Sequence, residues 1–237
     1  MAQLICKDLK VGFDSRPIAD NINFSVNKGD YLCILGENGS GKTTLIKTIL
    51  DLIPKLQGTI EFGKGVTKNK IGYLPQQTAV QKDFPASVLE IVLSGLLSRK
   101  KLNPFFTKSD KAAADMALEK LNILSLKNKS YRELSGGQQQ RVLLSRAIVA
   151  ANKMLILDEP AAALDPKAAN ELYELLHQLN RNENITIIMI SHNIESAVKY
   201  ANKILHIGNT QLFFGDIHSY MHSEAGQVFC PNCKGEL

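Results

Sequence analysis

The sequence contains no tryptophan, and aromatic residues make up only 6% of its 237 positions. That scarcity argues against a protein that recognises its ligands mainly by stacking. No window approaches the roughly 18 uninterrupted apolar residues that a helix needs to cross a bilayer. The opening Met1-Ala2-Gln3-Leu4-Ile5-Cys6-Lys7 also lacks a signal-peptide layout, so a soluble, cytoplasmic chain is predicted. There are only four cysteines. Cys6 and Cys33 lie inside apolar runs and read as reduced core thiols, which excludes a disulfide framework. The net charge is only +5, and the basic residues are dispersed apart from Arg99-Lys100-Lys101 and the pair Lys127 and Lys129. Each cluster reads as a solvated face, so no nucleic-acid partner is predicted. A hydrophobic content of 44% is enough for a sizeable core, in one large domain or two small ones.

What is present centres on residues 36–43, Gly-Glu-Asn-Gly-Ser-Gly-Lys-Thr, which fit the phosphate-binding pattern of Gly, four residues, then Gly-Lys-Ser/Thr. The apolar run 31–35 leads in as a buried strand, and residues 44–50 lead out with helical spacing until Pro54. The glycines at 36, 39 and 41 let backbone N–H groups approach phosphate oxygens. Lys42 is suited to the β- and γ-phosphates of a nucleotide, and the Thr43 hydroxyl to Mg²⁺. The helix that begins around Thr44 turns its positive end to the anion. Glu37, Asn38 and Ser40 complete the loop.

Residues 2–35 alternate short apolar runs with turns, predicting antiparallel strands laid against a nucleotide core. Short strands follow at 58–62 and 70–74, and Pro75-Gln76-Gln77 ends them. Helical spacing occupies 87–99 and 109–124, with Asn103-Pro104 as the breaker and Ser109 with Asp110 as the cap. A mostly helical insert is thus expected over about 80–134. Beyond it, helix 138–150, strand 154–157, helix 167–181 and strand 185–190 alternate, which predicts a parallel sheet and an α/β fold.

Asp158-Glu159 follows the strand ending at Leu157. In open α/β sheets that end faces the ligand crevice. Asp158 is the natural partner for Mg²⁺, and Glu159 is placed to polarise an attacking water. The alternative is a carboxylate pair that caps the next helix.

Between these motifs lies Leu134-Ser135-Gly136-Gly137-Gln138, which resembles the signature of the ATP-binding cassette (ABC) ATPases. The resemblance runs from residue 2 to about 217, implying an ABC ATP-binding domain over 1–217 and a short tail over 218–237. It implies ATP and Mg²⁺ as ligands and a head-to-tail homodimer on ATP binding. Ser135, Gly136, Gly137 and Gln138 of one chain would then close over the γ-phosphate held by the other. Phe13 matches the residue that stacks on adenine, Gln76 the glutamine that contacts Mg²⁺ and water, and His192 the switch histidine on the γ-phosphate. Asp165 matches the loop that communicates across the dimer, although Ala161 and Ala162 stand where Thr and Ser are frequent. With Glu159 present, a competent ATPase is expected.

Residues 73–76, 84–88, 91–95 and 134–147, with the late Leu212-Phe213-Phe214-Gly215, look like the zinc/manganese-uptake branch of ABC importers. Iron-chelate and cobalamin branches share part of that pattern. The resemblance implies an ATPase at the cytoplasmic face of the cell membrane. Its implied partners are an integral-membrane permease dimer and an extracytoplasmic substrate-binding protein. Zinc is favoured over manganese. A cassette that acts on DNA, RNA or a protein assembly would show paired cassettes, coiled-coil insertions or strong basic surfaces, and none is evident.

The tail carries Cys230-Pro231-Asn232-Cys233, which resembles half of a zinc knuckle, and His218 and His222 at the spacing of one helical face. Three readings are open: a Cys₂His₂ zinc site in one tail, a Cys₄ site shared by two tails, or two reduced thiols and no metal.

Overall fold

The structure, a computed structural model, describes residues 1–76, 85–99, 105–151 and 153–229. Cys230 and Cys233, the Asn103-Pro104 breaker, Lys100, Lys101 and Phe84 lie outside the described residues. The chain divides into two compact units, Met1–Lys68 with His177–Leu237, and Asn69–Leu176.

The first unit contains a three-stranded antiparallel sheet in which β1 (Ala2–Phe13) lies between β2 (Arg16–Asn27) and β4 (Gln57–Phe62). The β1–β2 hairpin closes on Asp14 and Ser15, both at positive φ (45° and 63°), the backbone of a tight primed turn. These strands are longer than the apolar runs in the sequence suggest. Bulges shift the register between Cys6 and Leu9 and again between Leu9 and Val11, with Asp8 and Asn21 at positive φ. Each bulge reverses the inward–outward alternation, so one strand reads as several.

In the same unit β3 (Tyr31–Leu35) pairs in parallel with β7 (Thr186–Ile190) and β8 (Lys203–Ile207). All residues of β3 and β7 are buried, as expected of strands covered on both faces. Strand β9 (Gln211–Asp216) adds antiparallel to β8. Helix α1 (Lys42–Ile49) follows β3, and α6 (Ile194–Tyr200), capped by the Asn193 side chain, follows β7. Two short helices, α7 (Ile217–His222) and α8 (Glu224–Phe229), lie in the stretch expected to be the tail. Tyr220 of α7 is fully buried.

In the second unit β5 (Ile71–Leu74) pairs in parallel with β6 (Met154–Asp158). Three helices begin with reciprocal capping boxes: α2 (Val88–Ser94) on Ser87 and Glu90, α3 (Lys108–Lys120) on Thr107 and Asp110, and α4 (Gly136–Ala150) on Ser135 and Gln138. The cap of α3 is therefore Thr107, not Ser109. A hydroxyl at Thr107 with a carboxylate three residues later satisfies two terminal N–H groups at once, whereas Ser109 already lies in the first turn. The spacing at 87–99 resolves into α2 and a 3₁₀ turn over Leu97–Arg99. Helix α5 (Pro166–Glu183) begins here. The fold is α/β, as the alternation of strand and helix predicts.

Strand β8 buries His206, which is 1% exposed and whose Nδ1 lies 3.0 Å from the Tyr220 hydroxyl. Burial first, then the charge of Lys42, lowers its pKa from 6.5 to about 4. The native state therefore binds fewer protons than the unfolded chain between these values. Stability from the neutral ring is complete above pH 6.5 and is lost as pH falls toward 4. Wild-type protein is expected to lose about 2 kcal/mol more than His206→Leu between pH 7 and pH 4.5. Denaturant melts at the two pH values measure this, and equal losses would contradict it.

Candidate active site

In the first unit the phosphate loop leaves the end of β3 and enters α1 at Gly41, the N-cap, with φ 93°. No side chain caps this helix and its first turn holds no acidic residue, so its positive end is left to the loop. Lys42 is 5% exposed. Its ammonium donates to the carbonyl oxygens of Gly36 and Glu37 at 2.8 and 2.7 Å, which folds the loop around the charge. Ser40 Oγ is buried and has no hydrogen-bond partner among the described residues. Thr43 is half-buried and Thr44 is buried, while Glu37, Asn38 and Gly39 are exposed.

Two glycines in the loop serve different needs. Gly36 has φ 146°, and a Cβ there would lie 2.1 Å from the Ile207 carbonyl oxygen and 2.8 Å from Ser40 Oγ. Gly39, at φ 83°, has nothing within 4 Å of the same position, so a side chain would stand in open space at the mouth of the loop. A buried ammonium, a bare helix N-terminus and an open glycine-lined concavity are what a bound polyphosphate requires.

His192 leaves the adjacent strand β7 at the same end. Ser191 N–H donates to Ile34 O at 3.3 Å, which aligns the ends of the two strands, and His192 is exposed. Phe13, at the end of β1, is 47% exposed.

In the second unit Asp158 ends β6 and is 1% exposed. Glu159 follows in left-handed backbone at φ 49°, a conformation uncommon outside glycine. Gln76 follows β5, the parallel neighbour of β6, and its Nε2 donates to Glu159 Oε2 at 3.0 Å. The pKa of the Tyr73 hydroxyl is raised to about 12, mainly by burial and secondarily by the nearby Asp158 charge.

Ser135, Gly136, Gly137, Gln138 and Asp165 line one cleft of about 540 Å³ in this unit. Ser135 Oγ accepts from Gln138 N–H, and Gln138 Oε1 accepts from Ser135 N–H at 3.1 Å. Asp165 Oδ1 accepts from the N–H groups of Lys167 and Ala168, so this carboxylate caps α5 ahead of Pro166. The sequence reading missed Gln140, whose Nε2 donates to the Pro160 carbonyl and pins the backbone just after Glu159. Gln138, Gln139 and Gln140 look alike in sequence; Gln139 and Gln140 are both buried, and the helical phase of α4 sends Gln139 to the Tyr131 carbonyl and Gln140 to that of Pro160.

In the tail, His218 and His222 lie on one face of α7 with ring centroids 4.5 Å apart, and His222 Nδ1 contacts the His218 carbonyl oxygen at 2.8 Å. Among the described residues no group of three or more His, Cys, Asp or Glu is close enough to hold a metal ion. No described helix is long and apolar enough to cross a membrane.

The contrast between the two glycines is testable. Gly36→Ala forces backbone to move and is expected to destabilise by more than about 3 kcal/mol, or to prevent folding. Gly39→Ala incurs only the left-handed strain of about 1 kcal/mol. Chemical denaturation ranks the two, and equal costs would mean that the close approach to Ile207 is not rigid.

The ABC transporter family model matches residues 19–162. The zinc uptake system ATP-binding protein ZurA of Listeria innocua is 38% identical over 216 residues, covering 89% of this chain and 84% of that protein. The manganese transport system ATP-binding protein MntB of Bacillus subtilis is 35% identical over 211 residues, covering 88% and 84%. The crystal structure of the ADP conformation of an ATP-binding cassette of an ABC transporter superposes with a TM-score of 0.80 at 27% identity, covering 98% of this chain and 99% of that one. The glycine loop around Lys42, the Asp158-Glu159 turn with Gln76, and the Ser135 helix start therefore sit in a chain that belongs to the ABC transporter family, as one of its ATPases.

Proposed function

We propose that this chain is the ATP-hydrolysing subunit of a metal-ion importer, with zinc as the transported ion. The observation that carries the hydrolytic part is the hydrogen bond from Gln76 to Glu159. It holds a carboxylate, in strained backbone, one residue beyond the buried Asp158. In this reading Lys42 and the loop N–H groups hold the β- and γ-phosphates, and Phe13 stacks on adenine. The Thr43 hydroxyl and the Asp158 carboxylate, both hard oxygen donors, suit Mg²⁺, which when bound supplies charge neutralisation on the phosphates. Glu159 orients and deprotonates the attacking water, Gln76 fixes the direction of that carboxylate, and His192 donates to the γ-phosphate. Ser135, Gly136, Gly137, Gln138 and the loop around Asp165 act from a second copy of the chain in a head-to-tail homodimer.

ABC importer ATPases work with a membrane permease. Here the domain over 1–217, with its helical part at about 80–134, would meet that permease from the cytoplasmic side. An extracytoplasmic substrate-binding protein would deliver the ion. Support for a metal cargo comes from the similarity to ZurA, a zinc uptake protein, and MntB, a manganese transport protein, and zinc is preferred because ZurA is the more similar of the two, 38% against 35%. For the tail, the metal reading is zinc held by His218, His222, Cys230 and Cys233 of one chain or by Cys230 and Cys233 of two chains, against two reduced thiols with no metal. The support is the pairing of the two histidines on α7 and the spacing of the two cysteines.

Glu159→Gln is expected to keep ATP bound and accumulate as a dimer on gel filtration; a monomer with ATP bound would contradict the proposed site. In cells, the same substitution should abolish uptake of labelled zinc and spare manganese. Loss of manganese uptake alone reassigns the cargo, and no change in either removes the importer reading. Replacing Cys230 and Cys233 by Ser should lower the zinc content of the purified protein; unchanged content removes the tail site.

A further inference from the structure

Strand β8 carries a histidine where an aliphatic residue would pack. Its last four residues, Ile204, Leu205, His206 and Ile207, are all buried. His206 is paired with Leu35, the residue that enters the phosphate loop. One residue further, the Ile207 carbonyl is the atom against which Gly36 rests, close enough to exclude any Cβ. The imidazole is thus fixed to the strand end that backs the loop.

The side-chain contacts of His206 run the other way, into the C-terminal helices. Nδ1 lies 3.0 Å from the Tyr220 hydroxyl of α7. The ring meets Phe229 of α8 in a T-shaped contact with centroids 4.4 Å apart. Phe213 of β9, the cross-strand partner of His206, packs T-shaped on Tyr220 at 5.3 Å. Nε2 is buried with no hydrogen-bond partner among the described residues. Nδ1 satisfies the buried Tyr220 hydroxyl, which a leucine would leave without a partner, while Nε2 is left unsatisfied, so the ring ties β8 to α7 at the cost of one buried polar atom. The hydrolytic scheme does not use it. The ring joins two regions, and the charge of Lys42 is near enough to help keep it neutral.

We propose that His206 is a positioning residue for the phosphate loop, through which the seating of α7 and α8 sets the affinity for ATP. This rests on the reading that the loop binds ATP. Any ligand or partner that shifts Phe229 or Tyr220 would then be read out as a change in ATP binding, with the chemistry of hydrolysis left intact.

The test is equilibrium dialysis with radiolabelled ATP, together with ATPase rates at saturating ATP, on the full chain. Tyr220→Phe, Phe229→Leu and His206→Leu are expected to weaken ATP binding about fivefold each. Each should hold the saturated rate within about twofold of wild type, the split that marks lost binding with unchanged chemistry. Adding Tyr220→Phe to His206→Leu should cost nothing further, because the two act through one contact. Leu118→Ala, a core truncation in the other unit, controls for stability and should lower the melting temperature without moving the dissociation constant. The proposal is overturned if Tyr220→Phe and Phe229→Leu bind ATP as wild type does, or if affinity simply tracks melting temperature through Leu118→Ala. Lys42→Ala separates the two levels. If wild type binds ATP, Lys42→Ala does not, and Tyr220→Phe is unchanged, only the role of His206 fails. If Lys42→Ala binds as wild type does, the nucleotide site fails and this proposal with it.

Discussion

A lysine ammonium taken out of water must be met by oxygens, and at Lys42 the oxygens come from the loop itself. The carbonyls of Gly36 and Glu37 both accept from Nζ, so the chain that carries the charge also wraps around it. A loop that turns its carbonyls inward to the lysine is free to turn N–H groups outward, toward the mouth where Gly39 leaves open space. That arrangement needs a rigid base. The base is the fully buried β3, held in parallel between β7 and β8, with Gly36 pressed on the Ile207 carbonyl. The shape of the loop depends on that close backbone approach.

The second unit meets a different constraint with the same device. Parallel strands end on one edge, so β5 and β6 deliver Gln76 and Asp158-Glu159 to neighbouring positions although they are far apart in the chain. The turn after β6 is strained at Glu159 and is fixed from outside by Gln140 on the Pro160 carbonyl. Helix α4, which contributes Gln140, also starts at Ser135. Motion of that helix would therefore bear on the backbone that carries Glu159.

Several of the candidate site residues and their neighbours serve plain structural needs. Asp165 caps α5, Ser135 and Gln138 close a capping box, and Asn193 caps α6 beside His192. Helix starts are where N–H groups lack partners, and the same unpartnered groups attract anions.

The sequence by itself determined the α/β alternation, the phosphate loop with its strand and helix, the carboxylate pair at a strand end, and the signature at a helix start. Each of these is a local pattern whose chemistry is set by residue type and spacing. The long bulged strands β1 and β2 were not legible, because a bulge inverts the alternation that marks a strand. The Thr107 cap was hidden behind an equally plausible Ser109. Only the tertiary structure decided which of three consecutive glutamines reaches Pro160, that Gln76 bonds Glu159, and that a lone histidine in β8 meets Tyr220 and Phe229 behind the loop. Those are contacts between residues distant in the chain, chosen by helical phase and strand register, and no residue's identity announces its partner.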